Sequence, residues 1–115
     1  MSKIPEKIEI LFEVKDVIGR NIRTTKNYWQ KITGFKHPEL KFGVKEVKST
    51  LSGPDETRVS VTDASILLYS KRIEKGDILI IAVKVLNGEG FIVTVYQTKI
   101  YKKKGRLIWQ KNKRR

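Results

Sequence analysis

The feature that most constrains the fold is a pair of strand-forming runs on either side of a short turn. Residues 78–85 are almost entirely aliphatic, and residues 91–98 are rich in β-branched side chains, which fit a pleated sheet. Between them the sequence reads Asn-Gly-Glu-Gly at 87–90, and an Asn-Gly pair favours a tight hairpin turn. The second half of the chain therefore predicts a long antiparallel hairpin.

Shorter strands are predicted on both sides of this hairpin. We expect strands at 58–62 and 65–69 before it, and a last short strand that ends at Trp109 after a turn at 103–106. Near the N-terminus, residues 7–14 alternate between apolar and polar side chains, and residues 22–24 can pair back after a turn at 16–21. This order predicts an N-terminal hairpin and a separate four-stranded meander.

Two helical segments lie between the first hairpin and the meander. Thr25 is a suitable N-cap for a helix that ends at Gly34, and residues 35–38 should be extended because a residue before proline avoids the helical region. A second helix is predicted over 39–51, where apolar residues recur at helical spacing around Gly43. The elements together predict an α+β fold in which an N-terminal β-hairpin and two helices pack on a four-stranded antiparallel sheet.

The chain carries a strong positive charge that indicates a polyanionic partner. It has 25 Lys and Arg against 12 Asp and Glu, which gives a net charge of +13. Nine basic residues and no acid lie between residues 99 and 115, so we expect a basic tail from about residue 102 to attract phosphate backbones. The alternative is a solvated tail that only aids solubility. A membrane surface fits less well, because no amphipathic helix accompanies the charge.

The length and composition fit one domain that spans residues 1–115. The sequence has no cysteine and one histidine, so we expect no disulfide, no metal site and no cofactor. It has no apolar run of transmembrane length and no signal-peptide core, which predicts a cytoplasmic protein that does not enter membranes. The motifs of P-loop, dinucleotide-binding, zinc-protease and serine-hydrolase sites are absent. The oligomeric state is left open.

The one histidine, His37, is the best candidate for acid–base chemistry. Cleavage of RNA without a metal needs a base for the 2′-hydroxyl, a cation at the phosphate and an acid for the leaving oxygen. Only imidazole changes its charge near pH 7 when unperturbed, and Pro38 should hold His37 at a rigid corner. The alternative is that His37 only caps or packs at that corner.

Other candidate residues lie on the predicted sheet and in the tail. Arg58 and Ser60 are two residues apart on one side of their strand, where a guanidinium could hold a phosphate. On the last long strand, a polar stripe opposite Phe91 and Val95 could contact RNA, and it consists of Thr94, Tyr96 and Thr98. Further candidate contacts are Tyr69, Lys84 (whose side of the sheet is ambiguous), Lys102, Lys103 and Lys104. Each could instead be an ordinary side chain of an exposed strand or surface.

Four short stretches stand in a characteristic order along the chain. They are Lys-His-Pro-Glu at 36–39, Gly-Pro-Asp-Glu-Thr-Arg-Val-Ser at 53–60, Leu-Leu-Tyr at 67–69 and Phe-Ile-Val-Thr-Val-Tyr-Gln-Thr at 91–98. Together they make the chain resemble the phage-associated barnase-EndoU-colicin-RelE-like nucleases over nearly its whole length. The resemblance implies a small barnase- or RelE-like fold whose open sheet face cleaves RNA without a metal.

The same resemblance implies roles for individual residues. His37 would act as the general acid or base, and Arg58 would clamp the phosphate. Tyr69 or Tyr96 would stack on the substrate or relay a proton. The polar contacts on the sheet would come from Ser60, Thr94 and Thr98.

We therefore predict an endoribonuclease that cleaves RNA by 2′-hydroxyl transesterification. A toxin or a mobile-element effector is the setting that we expect for such an enzyme, and an acidic inhibitor or antitoxin protein is the second expected partner. The alternative is a non-catalytic RNA- or DNA-binding module, which explains the charge equally well and needs nothing from His37.

Overall fold

The computed structural model describes residues 9–36, 43–73 and 76–111, and places seven strands in one sheet beside two short helices. β1 (Ile10–Lys15) and β2 (Asn21–Thr25) lead into α1 (Lys26–Lys31), a π-helical turn (Ile32–Lys36) and α2 (Val44–Ser52). The later strands are β3 (Glu56–Val59), β4 (Ile66–Arg72), β5 (Ile78–Leu86), β6 (Glu89–Thr98) and β7 (Leu107–Gln110). Each predicted strand is present within a few residues of its expected position.

The way these strands pair differs from the prediction. Their order across the sheet is β1-β2-β6-β5-β4-β3-β7, so the predicted four-stranded antiparallel sheet is wrong. β2 runs parallel to β6 and pairs with it through three residues, which joins the N-terminal hairpin to the rest of the sheet. β7 pairs antiparallel with β3 at the opposite edge. The fold is a mixed α+β arrangement dominated by the sheet.

Hydrogen bonds to one carboxylate close the turn between β1 and β2. The Asp16 oxygen Oδ1 accepts hydrogen bonds of 2.7–2.9 Å from the backbone N–H groups of Ile18, Gly19 and Arg20. Such a turn suits a short carboxylate, which can reach its own backbone two to four residues further on. The predicted turn at 16–21 is therefore confirmed, and it fixes how β2 returns along β1.

The first helix begins as predicted but ends differently. Thr25 is its N-cap, and the Thr25 Oγ1 accepts a hydrogen bond of 3.1 Å from the Tyr28 N–H. The helical path does not stop at Gly34, because it continues as a wider π-helical turn to Lys36. Glycine permits a helix to end but does not force it to, so the prediction of extended residues at 35–36 is wrong.

The second helix is shorter than predicted. It begins at Val44, because Gly43 has an extended backbone and serves as the N-cap. The Glu46 Oε1 accepts a hydrogen bond of 2.9 Å from the Gly43 N–H, which closes the first turn. Residues 39–42 of the predicted helix lie outside the described residues. Val47 and Leu51 are fully buried and anchor α2 on the sheet.

The sheet has two faces that carry different partners. On the core face, β5 contributes Leu79, Ile81 and Val83, which form the main hydrophobic core together with α2. The opposite face, called here the open face, carries Ile78, Ile80, Ala82 and Lys84 of β5 in alternation. The first three of these are only 5–7% exposed, so β5 is buried on both sides.

The open face is covered at its centre by the chain that connects β6 to β7. Since β5, β4 and β3 lie between those two strands, residues 99–106 have to cross the sheet to join them. This stretch, called here the crossing segment, passes over the open face, where Ile100 and Tyr101 lie beside Ile80 of β5. The cover explains why apolar residues are buried there without a helix.

A β-bulge in β6 changes which of its residues share a face. Thr94 pairs with Ala82 whereas Ile92 pairs with Val83, so Val93 is an extra residue in the ladder. Phe91 consequently pairs with Lys84 and lies on the same face as Thr94. The prediction that Phe91 lies opposite the polar stripe is wrong, because it assumed an unbroken alternation.

Candidate nucleic-acid interface

A pocket on the open face gathers five of the predicted site residues. It has a volume of about 270 Å³ and lies between β4, β5, β6 and the crossing segment. Its polar lining includes Ser60, Tyr96, Thr98, Lys102 and Lys104. Its floor is apolar, because Leu68 and Ile80 lie beneath the polar groups. These residues are far apart in sequence, and the sheet together with the crossing segment brings them together.

Two hydroxyl groups of the polar stripe have different environments in this pocket. The Thr98 Oγ1 donates to the Ile100 carbonyl at 3.0 Å and accepts from the Ile100 N–H at 3.1 Å, so it shapes the start of the crossing segment. Burial raises the pKa of Tyr96 above its ordinary value. Tyr96 therefore stays protonated at neutral pH, and its hydroxyl is a hydrogen-bond donor.

Thr94 and Ser60 are two further candidate residues with different positions. Thr94 lies on β6, and Ser60 directly follows β3. Thr94 pairs with Ala82 on the open face, and its Oγ1 is buried without a hydrogen-bond partner in the described part of the chain. The Ser60 hydroxyl lies 3.1 Å from the Thr62 hydroxyl at the end of β3. Thr94 is thus an unsatisfied polar group beneath the surface, whereas Ser60 lines the pocket itself.

Arg58 lies beside the pocket in a buried charged cluster with Glu56 and Tyr101. The Arg58 Nε donates to the Glu56 Oε2 at 2.6 Å, and the Arg58 Nη1 donates to the Gly105 carbonyl at 2.8 Å. The Tyr101 hydroxyl also donates to the Glu56 Oε2. These bonds tie the crossing segment to β3, so an Arg58 that clamped a phosphate would have to share its guanidinium with them.

The ionisation of this cluster follows from its hydrogen bonds. Burial alone raises the pKa of Glu56, but the hydrogen bonds from Arg58 and Tyr101 outweigh it and hold the pKa below its ordinary value. The hydrogen bond to Glu56 raises the pKa of Arg58. Burial, reinforced by the bond to Glu56, raises the pKa of Tyr101. The cluster therefore holds a carboxylate, a guanidinium and a neutral phenol at neutral pH.

Two predicted lysine contacts flank the pocket. Lys84 lies on the open face, its side chain is 40% exposed, and its Nζ is 3.5 Å from the Asp63 Oδ2. Hydrogen bonds from Ser65 lower the pKa of Asp63, which keeps this partner charged. Lys103 lines a neighbouring depression of about 750 Å³ on the other side of Tyr101, together with Glu56. Both lysines add positive charge along the open face without entering the central pocket.

Tyr69 is not part of this site. It lies on the core face, it is fully buried, and its hydroxyl donates to the Asp16 Oδ2. Its partner on β3 is Thr57, which points to the same core face. The predicted contact residue Tyr69 therefore does not line the open face, because the Leu-Leu-Tyr stretch directs Leu68, not Tyr69, toward that face.

The predicted acid–base residue, His37, lies outside the described residues. In the described ranges, no group of three or more His, Asp or Glu side chains could hold a metal ion. No helix in those ranges is long and apolar enough to cross a membrane.

Sequence reasoning missed two residues that complete the site. Tyr101 and Glu56 fix the crossing segment over the open face, yet neither stood in a recognisable motif. Their contact joins residues from opposite ends of the second half of the chain, and no local pattern encodes it. The one sequence signal that could have indicated Tyr101 is its position among basic residues, because an aromatic side chain there suits a nucleic-acid surface.

The chain matches no protein-family model, no curated protein and no solved structure. The functional class therefore depends on the site itself, which combines an apolar floor, neutral hydroxyl donors and exposed lysines on a chain of net charge +13.

Proposed function

We propose that this protein is a metal-independent endoribonuclease that binds RNA on the open face. The observation that carries the proposal is the pocket in which Tyr96, Ser60 and Thr98 meet Lys102 and Lys104. Lysines attract the phosphate, and a neutral tyrosine can donate a hydrogen bond to an oxygen on which charge develops. The net charge of +13 favours a polyanion over a small neutral substrate.

The proposed reaction is attack of the 2′-hydroxyl on the adjacent phosphate, with release of the 5′-oxygen and formation of a cyclic phosphate. His37 would exchange protons with the 2′-hydroxyl or the leaving oxygen, a role that rests on the family resemblance. Tyr96 would donate to a non-bridging oxygen, since its raised pKa keeps it protonated. The lysines of the crossing segment would stabilise the charge that accumulates on the phosphate.

A non-catalytic RNA- or DNA-binding module is the second candidate function. It is favoured by the ion pairs on the open face, because Arg58 is engaged by Glu56 and Lys84 lies near Asp63. A carboxylate partner reduces the charge that a cation can offer to a phosphate on which further charge develops. In this case the pocket binds phosphate or sugar without cleavage.

The proposed setting is a toxin or a mobile-element effector that acts on cytoplasmic RNA. A ribonuclease of this charge would threaten the cell that makes it, so the proposal includes an acidic inhibitor protein that covers the open face. We expect the purified inhibitor to abolish RNA binding when it is added in an amount equal to that of this protein. An inhibitor that blocked cleavage but left RNA binding intact would have to act elsewhere.

The test is incubation of RNA with the wild-type protein and with His37→Ala in the presence of EDTA, followed by analysis of the fragment ends. We expect fragments with cyclic phosphate ends from the wild type. We also expect His37→Ala to lower the rate by roughly 10²–10⁴-fold with RNA affinity almost unchanged. Intact RNA with the wild type, together with a salt-sensitive gel shift, would favour the binding module instead.

A matched pair of double variants tests whether the pocket is the binding surface. Lys102→Gln/Lys104→Gln and Lys45→Gln/Lys48→Gln remove the same charge, but the second pair lies on α2, which packs against the core face. We expect only the first pair to reduce both RNA affinity and the salt slope of binding by about two phosphate contacts. Equal losses in the two variants would mean that net charge alone drives binding.

A further inference from the structure

A second cleft lies between β2 and β6, at the end where the two strands separate, and residues of both faces of the sheet line it. The two strands pair only from Asn21 with Glu89 to Arg23 with Phe91, although both continue beyond that point. The β-bulge at Val93 turns β6 away just after the last pair. A cleft of about 650 Å³ opens between the diverging strands.

The walls of this cleft combine exposed apolar surface with one cation. Phe91 and Ile10 line it and are 38% and 47% exposed, so they give the cleft an exposed apolar wall. The Arg23 guanidinium lies 4.6 Å from the centre of the Phe91 ring and forms an ion pair of 2.9 Å with Glu89. Arg23 is therefore held over the Phe91 ring, and this stacked pair is called here the Phe91–Arg23 platform.

Thr24 adds a polar group to the same cleft. It is 3% exposed, and its Oγ1 has no hydrogen-bond partner in the described part of the chain. A buried hydroxyl without a partner is costly, and a ligand edge that reached it would satisfy it. The cleft thus offers a stacking surface on the open face and, deeper between the strands, the Thr24 hydroxyl on the core side, because Thr24 alternates with Arg23 along β2.

We infer that this cleft binds one unpaired nucleobase of the RNA, with the base stacked on the Phe91–Arg23 platform. The inference rests on the proposed function and identifies its substrate as single-stranded RNA. Aromatic rings and guanidinium planes are the usual stacking partners of unstacked bases, and a paired base cannot enter such a cleft. The hydroxyl of Thr24 then bonds to the edge of the base and gives the site a preference among bases.

The cleft and the central pocket lie on one path along β6. Phe91 and Tyr96 face the same side, about 15 Å apart at the usual rise of an extended strand. Lys84 pairs directly with Phe91 and lies along this path, where it can meet a phosphate between the two sites. A bound base in the cleft therefore fixes which phosphate reaches Tyr96.

The experiment measures binding without cleavage by using a single-stranded 2′-O-methyl oligonucleotide, which lacks the attacking hydroxyl. Phe91→Leu keeps an apolar side chain but removes the aromatic ring, whereas Phe91→Tyr keeps the ring and is the matched control. We expect Phe91→Leu to weaken binding roughly 5- to 100-fold and Phe91→Tyr to bind like the wild type. Affinity for a blunt RNA duplex should be the same in all three proteins. Equal affinity of Phe91→Leu and wild type for the single strand would overturn the inference.

Thr24→Val tests the polar edge of the site, since valine has the shape of threonine without the hydroxyl. We expect it to change the ranking of the four homopolymeric 2′-O-methyl oligonucleotides and to leave the salt slope unchanged. An unchanged ranking would remove Thr24 from base recognition. The two proposals can be contradicted separately. If binding depends on Phe91 but ordinary RNA is not cleaved, the endoribonuclease proposal is wrong and the base site stands. If RNA is cleaved and Phe91→Leu changes neither binding nor cleavage, the base site is wrong, and if the wild type does not bind RNA at low salt, both proposals are wrong.

Discussion

Single residues on the open face act mainly through one another, and Glu56 is the clearest case. Its side chain is 6% exposed and holds both Arg58 and Tyr101. The sequence identified Arg58 correctly as a residue of this face, but it could not identify the carboxylate that holds it. A motif records which side chains are present, whereas the partner depends on how the crossing segment returns over β3.

The lowered pKa of Glu56 predicts a pH dependence of stability. A carboxyl group whose pKa is lower in the folded state stabilises the fold above the unfolded pKa, and this contribution is lost as the pH falls through the folded pKa. We expect Glu56→Gln to lower the free energy of unfolding by about 1.5–3 kcal/mol at pH 7. The gap to the wild type should close as the pH falls below about 4.

Urea unfolding of both proteins between pH 7 and pH 3 measures this gap. Glu13→Gln is the control, because Glu13 is an exposed carboxylate on β1. It should change the unfolding free energy by less than about 0.5 kcal/mol at every pH. A gap between wild type and Glu56→Gln that stayed constant over this range would mean that the Glu56 charge does not stabilise the fold.

At the scale of elements, the local signals were the reliable ones. The β5–β6 hairpin formed as expected because Asn87 and Gly88 both adopt positive φ, as a two-residue turn requires. The β-bulge at Val93 could not be predicted, because nothing in a run of β-branched residues marks which one is extra. That single insertion moved Phe91 onto the open face and created the platform with Arg23.

The crossing segment depends on one glycine. Gly105 has a φ of +90°, and a Cβ built on it would lie 1.9 Å from the Val59 carbonyl oxygen. That oxygen belongs to the backbone of β3 and cannot rotate away. We expect Gly105→Ala to lower the free energy of unfolding by at least about 2 kcal/mol, from overpacking and from backbone strain together.

Gly88→Ala is the matched control for this substitution. Gly88 also has a positive φ, of +79°, but a Cβ there would meet no atom within 4 Å. It should cost only about 1 kcal/mol, which is the strain of the backbone alone. Denaturant unfolding of the two variants separates strain from collision. Equal losses would show that the segment can move away from β3 at no cost.

At the scale of the whole molecule, no local sequence pattern indicates the contacts that join the N-terminal hairpin and β7 to the rest of the sheet. The parallel pairing of β2 with β6 joins residues that are distant in sequence and adds β1 and β2 to the sheet, and the pairing of β7 with β3 adds the seventh strand. The strands themselves were predicted correctly, but the parallel pairing was not. Parallel strands are not joined by a short turn, so the sequence between them does not indicate that they pair. The same pairing places Arg23 beside Phe91.

Gly90 belongs to the central pair of the parallel β2–β6 contact, called here the seam, and a substitution at Gly90 tests how much the seam stabilises the fold. A Cβ on Gly90 would lie 2.5 Å from the Ile22 Cδ1 and 2.6 Å from the Val83 Cγ1. We expect Gly90→Ala to lower the free energy of unfolding by about 1–3 kcal/mol through overpacking. Hydrogen exchange should accelerate most in β1 and β2, because the hairpin is attached through this seam.

The double variant Ile22→Val/Gly90→Ala is the control, since valine at position 22 removes the Cδ1 that collides. It should be more stable than the sum of the two single changes predicts, by at least about 0.5 kcal/mol. Strict additivity would indicate that the seam relaxes elsewhere. Uniform exchange across the sheet in Gly90→Ala would mean that the hairpin opens only with global unfolding.

The route of the crossing segment also has a consequence for biosynthesis. β3, β4, β5 and β6 are neighbours in both sequence and space, so they can pair as soon as they emerge. The chain must then cross β5, β4 and β3 before β7 can pair with the far side of β3. Until β7 docks, Lys102 and Lys104 are held near the sheet through the hydrogen bonds of Tyr101 to Glu56 and of Arg58 to Gly105. The strands β3 to β6 can therefore form before the pocket does, and the pocket is complete only when the crossing segment and β7 have docked.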